Sequence, residues 1–346
     1  MSNKTNYIPH HFVLEPNKPG KIRIVFDASS KFNGSSLNDK LLPGPNLLNN
    51  LVTVLSKFRR GKIAVISDIE KMYHQVLVPK ADQDSLRFLW RDDPSHPVTE
   101  YKMLVHLFGK IDSPCCANWA LRSSAIEVKG IPGVQAFNDL PDEKKDRVAR
   151  AVSEEFYMDD FLSSFDEVEE TKVICQDIKD VVKGRQFRLT KWLSNNLELL
   201  KSMPEQDRSP KITSKELNKL PHERTLGVWW DPSSDEFFFD VKMKDHQRTK
   251  RGILSFLSSI YDPLGFLAPL LITPKITLQS MWRQKVGWDD QIPVNLLRAY
   301  KEWLANLPEL GDVKVPISSV TRETLSCMCF RMRHRRLSVL VHTLGQ

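Results

Sequence analysis

The sequence has few of the features that mark secreted, membrane-spanning or zinc-stabilised proteins. Only five cysteines occur among its 346 residues, without a CxxC pair or a zinc-spaced set of cysteines and histidines. An odd cysteine count without such a framework favours a reducing compartment. The N-terminus has no apolar signal core, and the most apolar run, residues 264–272, contains Pro269 and is too short to span a bilayer. We therefore expect an intracellular, cytoplasmic protein without a membrane partner.

The charge balance is moderately basic. Lys and Arg number 50 against 43 Asp and Glu, a formal charge of +7, and 41% of the residues are hydrophobic. The length suits two or three domains with a sizeable core. The basic excess suits an anionic partner but does not prove one.

Hydrophobic periodicity predicts a mixture of strands and helices. Two strands flank a turn at 17–20, a strand over Ile63–Ile66 is followed by another over Gln75–Val78, and hairpins are predicted at 156–165 and 225–241. Helical spacing is found in six further segments: 47–58, 114–128, 167–183, 253–261, 275–286 and 293–306.

Three carboxylates stand where the predicted strands end. Asp68 closes the apolar run AVISDI, and Asp159 and Asp160 form the tip of the 156–165 hairpin. Each alone could be an ordinary turn residue. Together they can converge on one edge of a sheet, where their mutual repulsion requires cations. Two divalent metal ions would balance that charge and would suit in-line phosphoryl transfer, and magnesium prefers such oxygen ligands.

Several segments resemble the conserved blocks of reverse transcriptases, in the expected order. They are KPGKIRIVFDAS (18–29), VISDIEKMYHQV (65–76), HLFGKIDSPCCAN (106–118), YMDD (157–160) and LGVWW (226–230). More narrowly, YIPHH, SLND, FRLTKWLSN, SSIYDPLGFLAP and GWDD resemble the Bel/Pao family of long-terminal-repeat retrotransposons. The resemblance covers residues 7–310 and implies a fragment of a Pao-type pol polyprotein, with Gag, protease, RNase H and integrase segments as companions.

The resemblance implies an α+β, right-hand polymerase fold with an antiparallel palm sheet and a helical thumb. The expected regions are an N-terminal fingers segment (1–60), a catalytic palm with inserted fingers elements (61–245), a helical thumb or connection (246–311) and an atypical tail (312–346). We expect no RNase H carboxylate set after residue 311.

The same resemblance assigns roles to particular residues. The catalytic, metal-binding residues are Asp68, Asp159 and Asp160, which would hold two Mg²⁺ or Mn²⁺ ions. The nucleotide-binding residues are Lys18, Lys21, Arg23, Tyr73, Phe108, Gly109 and Lys191. The primer grip is Leu226, Gly227, Val228, Trp229 and Trp230.

The implied activity is RNA-directed DNA synthesis from deoxynucleoside triphosphates on a primed RNA or DNA template, in the cytoplasm or within virus-like particles. One alternative is a catalytically inactive remnant that binds nucleic acid. Another is an RNA-dependent RNA polymerase, against which YMDD and the aromatic Tyr73 argue. Tyr73, Trp229 and Trp230 could also be core aromatics, and Lys191 a surface lysine.

Overall fold

The described part of the chain is built from two units, each made of several stretches. The computed structural model describes residues 5–14, 20, 22–58, 60–126, 134–212, 220–240 and 248–316. Unit 1 comprises Met1–Asn50, Ser67–Phe161 and Glu169–Lys191, and unit 2 comprises Leu51–Ile66, Leu162–Val168 and Trp192–Gln346.

Short runs of strands and of helices follow one another along the chain. The strands are β1 His10–Leu14, β2 Ile22–Phe26, β3 Ile63–Ile69, β4 Arg87–Trp90, β5 Thr99–Lys102, β6 Phe156–Tyr157, β7 Asp160–Phe165, β8 Leu189–Ser194, β9 Glu223–Thr225, β10 Val228–Asp231, β11 Glu236–Phe238 and β12 Lys314–Pro316. The helices are α1 Leu51–Lys57, α2 Ser113–Arg122, α3 Gln135–Asn138, α4 Asp142–Glu154, α5 Val168–Lys183, α6 Leu197–Ser202, α7 Lys250–Ser259, α8 Ile272–Arg283 and α9 Val294–Ala305. Among the described residues, no helix combines the length and the apolarity needed to cross a membrane.

One four-stranded sheet, in the order β6-β7-β3-β8, carries the predicted catalytic hairpin. β6 and β7 are antiparallel. The Ile69 N–H, at the end of β3, donates to the Asp159 carbonyl just before β7. The Glu70 N–H, after β3, donates to the Arg188 carbonyl just before β8. The end of β3 therefore meets the starts of both neighbours, so both run antiparallel to it, and the expected α+β character with antiparallel sheets is confirmed.

Strand β3 is the buried centre of this sheet. Its sequence IAVISDI is buried at every position except Asp68. A continuous apolar run of this length is typical of a strand covered on both faces. Asp68 is therefore the one place where β3 presents a polar side chain at a partly exposed position.

The chain reverses directly after β3, and here the predicted strand over Gln75–Val78 is wrong. A 3₁₀ helix spans Met72–Gln75, and Leu77 makes only an isolated bridge to Val105. Lys71 adopts a left-handed φ of 50°, which starts this tight turn. Tyr73 therefore lies on a short helix and is buried with Met72.

Unit 1 has its own apolar core around the N-terminal hairpin. β1 pairs antiparallel with β2, and β4 with β5. The core residues are Ile8, Ala28, Leu37, Val78, Leu86 and Leu107, with Phe26, Leu41 and Met103 packed against them.

Unit 2 combines a second sheet, in the order β12-β11-β10-β9, with helices α7 to α9. Trp230 of β10 and Phe237 of β11 both pack near Phe58, with ring centroids 5.2 and 6.3 Å away. In the helical part, the Trp303 indole N–H donates to the Leu270 carbonyl at 2.7 Å. Strand β12 lies within residues predicted as the atypical tail, and the rest of that tail, 317–346, is outside the described residues.

Candidate active site

Two of the three predicted catalytic carboxylates meet at neighbouring strand ends. Asp68 is the penultimate residue of β3, and Asp159 directly precedes β7 and is bonded through its carbonyl to Ile69 at 2.8 Å. Burial raises the pKa of the Asp159 carboxyl, the charge of Asp68 raises that pKa further, and the charge of Lys191 lowers it. Asp160 begins β7, opposite Tyr157 and partly exposed.

The hairpin tip between Tyr157 and Asp160 is a two-residue loop with an unusual backbone. Met158 adopts a φ of 57°, a left-handed value that glycine usually holds at the first position of such a loop. The Asn118 side-chain amide lies 3.7 Å from the Met158 sulfur. Backbone strain of this kind persists where surrounding contacts fix it, often at functional sites.

Lys191 places a cation against the first carboxylate. Its Nζ lies 2.9 Å from Asp68 Oδ1, and the Thr190 hydroxyl donates to the Asp68 carbonyl at 3.4 Å. Lys191 also has a left-handed φ of 57° within β8. Because the lysine side chain is half exposed, the ion pair adds little to stability. What it provides is a positive charge held beside the carboxylates.

An aromatic pair lies beside the carboxylates in the same unit. The rings of Tyr73 and Phe108 are 4.6 Å apart between centroids. Tyr73 is 8% exposed and Phe108 is 56% exposed. Burial raises the pKa of the Tyr73 phenol, and the nearby charge of Asp159 raises it further. Tyr73 is thus close enough to Asp159 to feel its charge.

Gly109 follows Phe108 in a conformation that requires glycine. Its φ is 92°, and a Cβ added there would lie 3.1 Å from the Phe26 carbonyl oxygen. The backbone of the predicted nucleotide-binding segment therefore lies close to the end of β2 at Gly109, where there is little room for a side chain.

Of the three predicted triphosphate-binding residues, the structure describes Arg23 alone. Arg23 stands on β2 opposite Val13 and is exposed. Lys18 and Lys21 lie outside the described residues.

The predicted primer grip belongs to unit 2. Leu226 and Gly227 both have positive φ, 47° and 85°, which is the pattern of a tight hairpin turn between β9 and β10. Val228 and Trp230 are buried, whereas Trp229 is partly exposed and stacks on Phe238 at 5.7 Å. The alternation of the strand thus gives the two tryptophans opposite surroundings.

Residues 249–328 match the family model of the Pao retrotransposon-like RNaseH-like domain. The match starts just before α7 and continues past residue 311, where the helical region was predicted to end. Among curated proteins, the comparison found no match.

The fold is similar to that of the foamy viral protease-reverse transcriptase. One structure, the dRH form with double-stranded DNA, aligns with a TM-score of 0.52 and 15% identity over 87% of this chain and 43% of that chain. A second, with an RNA/DNA hybrid, aligns with a TM-score of 0.50 and 14% identity over 91% and 35% of the two chains. The present chain thus spans less than half the length of these proteins, and at such identities the likeness shows a shared fold only.

A second group of polar side chains in unit 1 could by its geometry hold a metal ion. Donor atoms of His106, Asp112 and Cys116 all lie within 4.8 Å of one another. The buried Lys110 ammonium, however, lies 3.4 Å from Asp112 Oδ2 and already balances that carboxylate. The Cys116 thiol has its pKa raised, first by burial and then by Asp112. Within this group Lys110 therefore pairs with one Asp112 oxygen, Oδ2, while the other, Oδ1, is buried without a hydrogen-bond partner.

One contributor to the site is not evident from the sequence. Asn38 hydrogen-bonds through its side chain to Gly109 and Ile111, 71 and 73 residues away in sequence. Its only sequence signal is its place in the SLND segment, and nothing in that segment reveals which loop the amide reaches.

Proposed function

We propose that this chain is the polymerase part of a retrotransposon reverse transcriptase, an RNA-directed DNA polymerase that extends a primer 3′-hydroxyl with deoxynucleoside triphosphates. The observation that carries the proposal is the meeting of Asp68 and Asp159 at adjacent strand ends, close enough for the charge of one to raise the pKa of the other. Such a pair of carboxylates favours binding of cations.

The residues present fit divalent metal ions. Asp68 and Asp159, with Asp160 as a third carboxylate, would hold Mg²⁺ or Mn²⁺ through oxygen ligands. When bound, two such ions activate the primer hydroxyl and neutralise charge at the transferred phosphoryl group. The repulsion between the two aspartates is the physical reason for cation binding here.

Other side chains of unit 1 suit the parts of a nucleoside triphosphate. Lys191 places its Nζ beside Asp68, where it could act as a general acid toward the leaving pyrophosphate. Arg23, together with its sequence neighbours Lys18 and Lys21, suits the triphosphate. Tyr73 and Phe108 form the wall against which a sugar would rest.

The proposed partners are a primed RNA or DNA template and deoxynucleoside triphosphates. Support comes from the basic balance of the chain and from a fold shared with an enzyme described in complexes with double-stranded DNA and an RNA/DNA hybrid. On this proposal residues 1–60 are a fingers segment, 61–245 the palm and 246–311 a thumb or connection. The protein would act in the cytoplasm as part of a longer polyprotein.

The family match favours a second candidate function, hydrolysis of RNA in a hybrid. Within the described residues 249–316, two of the acidic side chains have partners in the chain itself. Asp262 accepts the N–H groups of Phe266 and Leu267, and Asp289 pairs with Arg251 at 2.8 Å. We propose the polymerase first because its candidate residues Asp68 and Asp159 lie at adjacent strand ends, where the charge of Asp68 raises the pKa of Asp159.

A single assay separates the candidates. The purified chain is incubated with magnesium, deoxynucleoside triphosphates and a labelled DNA primer on an RNA template. Template-dependent primer extension supports the polymerase, and shortening of the RNA strand alone supports the nuclease. Binding of the duplex without either reaction would identify an inactive remnant and refute the proposal.

A further inference from the structure

The side-chain amide of Asn38 hydrogen-bonds to two backbone groups of the loop that follows Phe108. We call this pair of hydrogen bonds a bracket. Asn38 Nδ2 donates to the Gly109 carbonyl at 2.9 Å, and its Oδ1 accepts the Ile111 N–H at 3.1 Å. One planar amide thus satisfies an acceptor and a donor two residues apart. A carboxylate has no donor for this purpose, and an aliphatic side chain has neither group.

The bracketing side chain is itself held in place. The Asn38 N–H donates to the Ala28 carbonyl at 3.0 Å, and Nδ2 also donates to Ser29 Oγ at 3.0 Å. Around it, Ser36 and Asp39 bond reciprocally, with the Ser36 N–H donating to Asp39 Oδ2 and the Asp39 N–H to Ser36 Oγ. This arrangement fixes the short helix that Asn38 begins.

Hydrogen bonds from side chains to the backbone hold this loop on both sides of Phe108, in addition to the buried ion pair of Lys110 with Asp112. Phe108 is more than half exposed, so burial does not fix its ring. Before it, the Ser113 hydroxyl anchors the Leu107 carbonyl at 2.8 Å, and after it Asn38 anchors Gly109 and Ile111. The position of Phe108 against Tyr73 is therefore set by its backbone, through anchors on both sides.

We propose that Asn38 is a positioning residue for nucleotide binding, which fixes the Gly109–Ile111 loop and so holds Phe108 against Tyr73. The inference rests on the proposed function and adds a residue that determines substrate affinity and sugar choice without touching the reacting atoms.

The chain contains a matched control for this role. Asn195 makes the same bracket on β3, with Oδ1 accepting the Ala64 N–H at 2.9 Å and Nδ2 donating to the Lys62 carbonyl at 2.8 Å. Both asparagines are partly buried. Asn195→Ala thus removes the same two hydrogen bonds from backbone that does not adjoin the aromatic pair.

The test compares single-nucleotide extension by the parent chain, Asn38→Ala, Asn38→Asp and Asn195→Ala. Loss of two hydrogen bonds from the loop should raise the KM for a deoxynucleotide about tenfold in Asn38→Ala, with kcat within about threefold. The preference for deoxynucleotides over ribonucleotides should fall in the same variant. Asn38→Asp should be at least as impaired, because its carboxylate faces the Gly109 carbonyl. Asn195→Ala should keep the parent KM and sugar preference.

Two results would overturn the role of Asn38. One is an unchanged KM in Asn38→Ala while the parent is active, and the other is an equal change in Asn195→Ala. If the parent itself does not extend primers, the proposed function fails separately, and hydrogen exchange then decides the inference. Faster exchange of the Ile111 amide in Asn38→Ala, but not in Asn195→Ala, supports the loop anchor, and equal exchange in both refutes it.

Discussion

Lys191 Nζ lies 2.9 Å from Asp68 Oδ1, so a cation of the protein itself balances the first carboxylate of the candidate site. The second carboxylate, Asp159, interacts electrostatically with both residues: the charge of Asp68 raises its pKa and the charge of Lys191 lowers it. The three charges form one electrostatic unit, and a change at Asp68 or Lys191 should alter how Asp159 binds protons and how the site binds metal ions.

The Asp159→Asn variant should lose primer extension while keeping its fold. The amide preserves the shape of the side chain but removes the charge that a metal ion needs, so the rate should fall by more than about a hundredfold. Asp142→Asn, at a side chain that is 97% exposed on α4, is the control and should retain the parent rate. Near-parental extension by Asp159→Asn with magnesium would remove Asp159 from the site.

The same variant should stabilise the metal-free protein at neutral pH. The pKa of Asp159 is raised in the folded state, so its ionised form opposes folding above that pKa and has no such effect below the unfolded pKa near 3.8. Melting curves should therefore show a higher Tm for Asp159→Asn at pH 7 and a difference that vanishes toward pH 3. A constant difference at all pH values would show that the charge is not responsible.

Replacing Lys191 by methionine should move metal affinity and turnover in opposite directions. Without the ammonium, Asp68 is free of its ion pair, so Mn²⁺ should bind more tightly at pH 8, by several-fold. The leaving pyrophosphate loses its proton source, and kcat should fall by about 10²-fold or more. Lys201→Met on α6 is the control. A parallel loss of metal binding and turnover would indicate a structural role for Lys191.

Binding of a primer–template duplex should weaken steeply with salt. Each phosphate contact releases about one counterion, so affinity should fall linearly on a log–log plot, without strong sequence preference. Arg23→Gln should reduce the slope by about one if Arg23 contacts a phosphate. Fluorescence anisotropy with a labelled duplex measures both quantities, and a flat salt response would exclude a nucleic-acid channel.

The two tryptophans of β10 should separate stability from primer binding. Trp230 is fully buried against Phe58, so Trp230→Ala should lower the free energy of unfolding by about 3–5 kcal/mol. Trp229 is partly exposed, so Trp229→Ala should weaken primer affinity with a much smaller change in stability. Equal destabilisation by the two variants would place Trp229 in the core as well.

The sequence predicted the elements around the candidate site better than their connections. The apolar run of β3, the acidic hairpin and the amphipathic α5 follow from periodicity and turn residues, and all three form. The conformation of the segment after β3 cannot be predicted from periodicity, because Lys71 adopts a left-handed φ and directs the chain into a 3₁₀ helix. Nothing in the residue type of a lysine indicates that conformation.

Long-range polar contacts are the part of the site that local patterns miss. The Asn38 bracket joins residues more than 70 positions apart, and the Lys191 ion pair depends on the register of β8 beside β3. The opposite surroundings of Trp229 and Trp230 likewise depend on which face of the second sheet is covered. Each is set by tertiary packing, and a single sequence carries no local sign of it.

Tyr73 should decide whether the site accepts ribonucleotides. It lies five residues after Asp68, feels the charge of Asp159 and packs 4.6 Å from Phe108. An aromatic wall at this place would fill the space that a 2′-hydroxyl needs, and so reject ribonucleotides by steric clash. Tyr73→Val should therefore keep deoxynucleotide incorporation within about threefold and raise ribonucleotide incorporation at least tenfold, roughly the effect of relieving one steric clash.

The competing reading is that Tyr73, only 8% exposed, is simply a core aromatic. Tyr300→Val tests that reading, because Tyr300 is fully buried in unit 2 and has no place in the candidate site. If Tyr73 has only a core role, Tyr73→Val and Tyr300→Val should behave alike. Both should show a lower Tm, lower incorporation of deoxynucleotides and ribonucleotides, and an unchanged ratio between the two. A gate predicts a changed ratio in Tyr73→Val alone. If Tyr73→Val folds, polymerises and excludes ribonucleotides as the parent does, the gate lies elsewhere, and Phe108 is the next side chain to substitute.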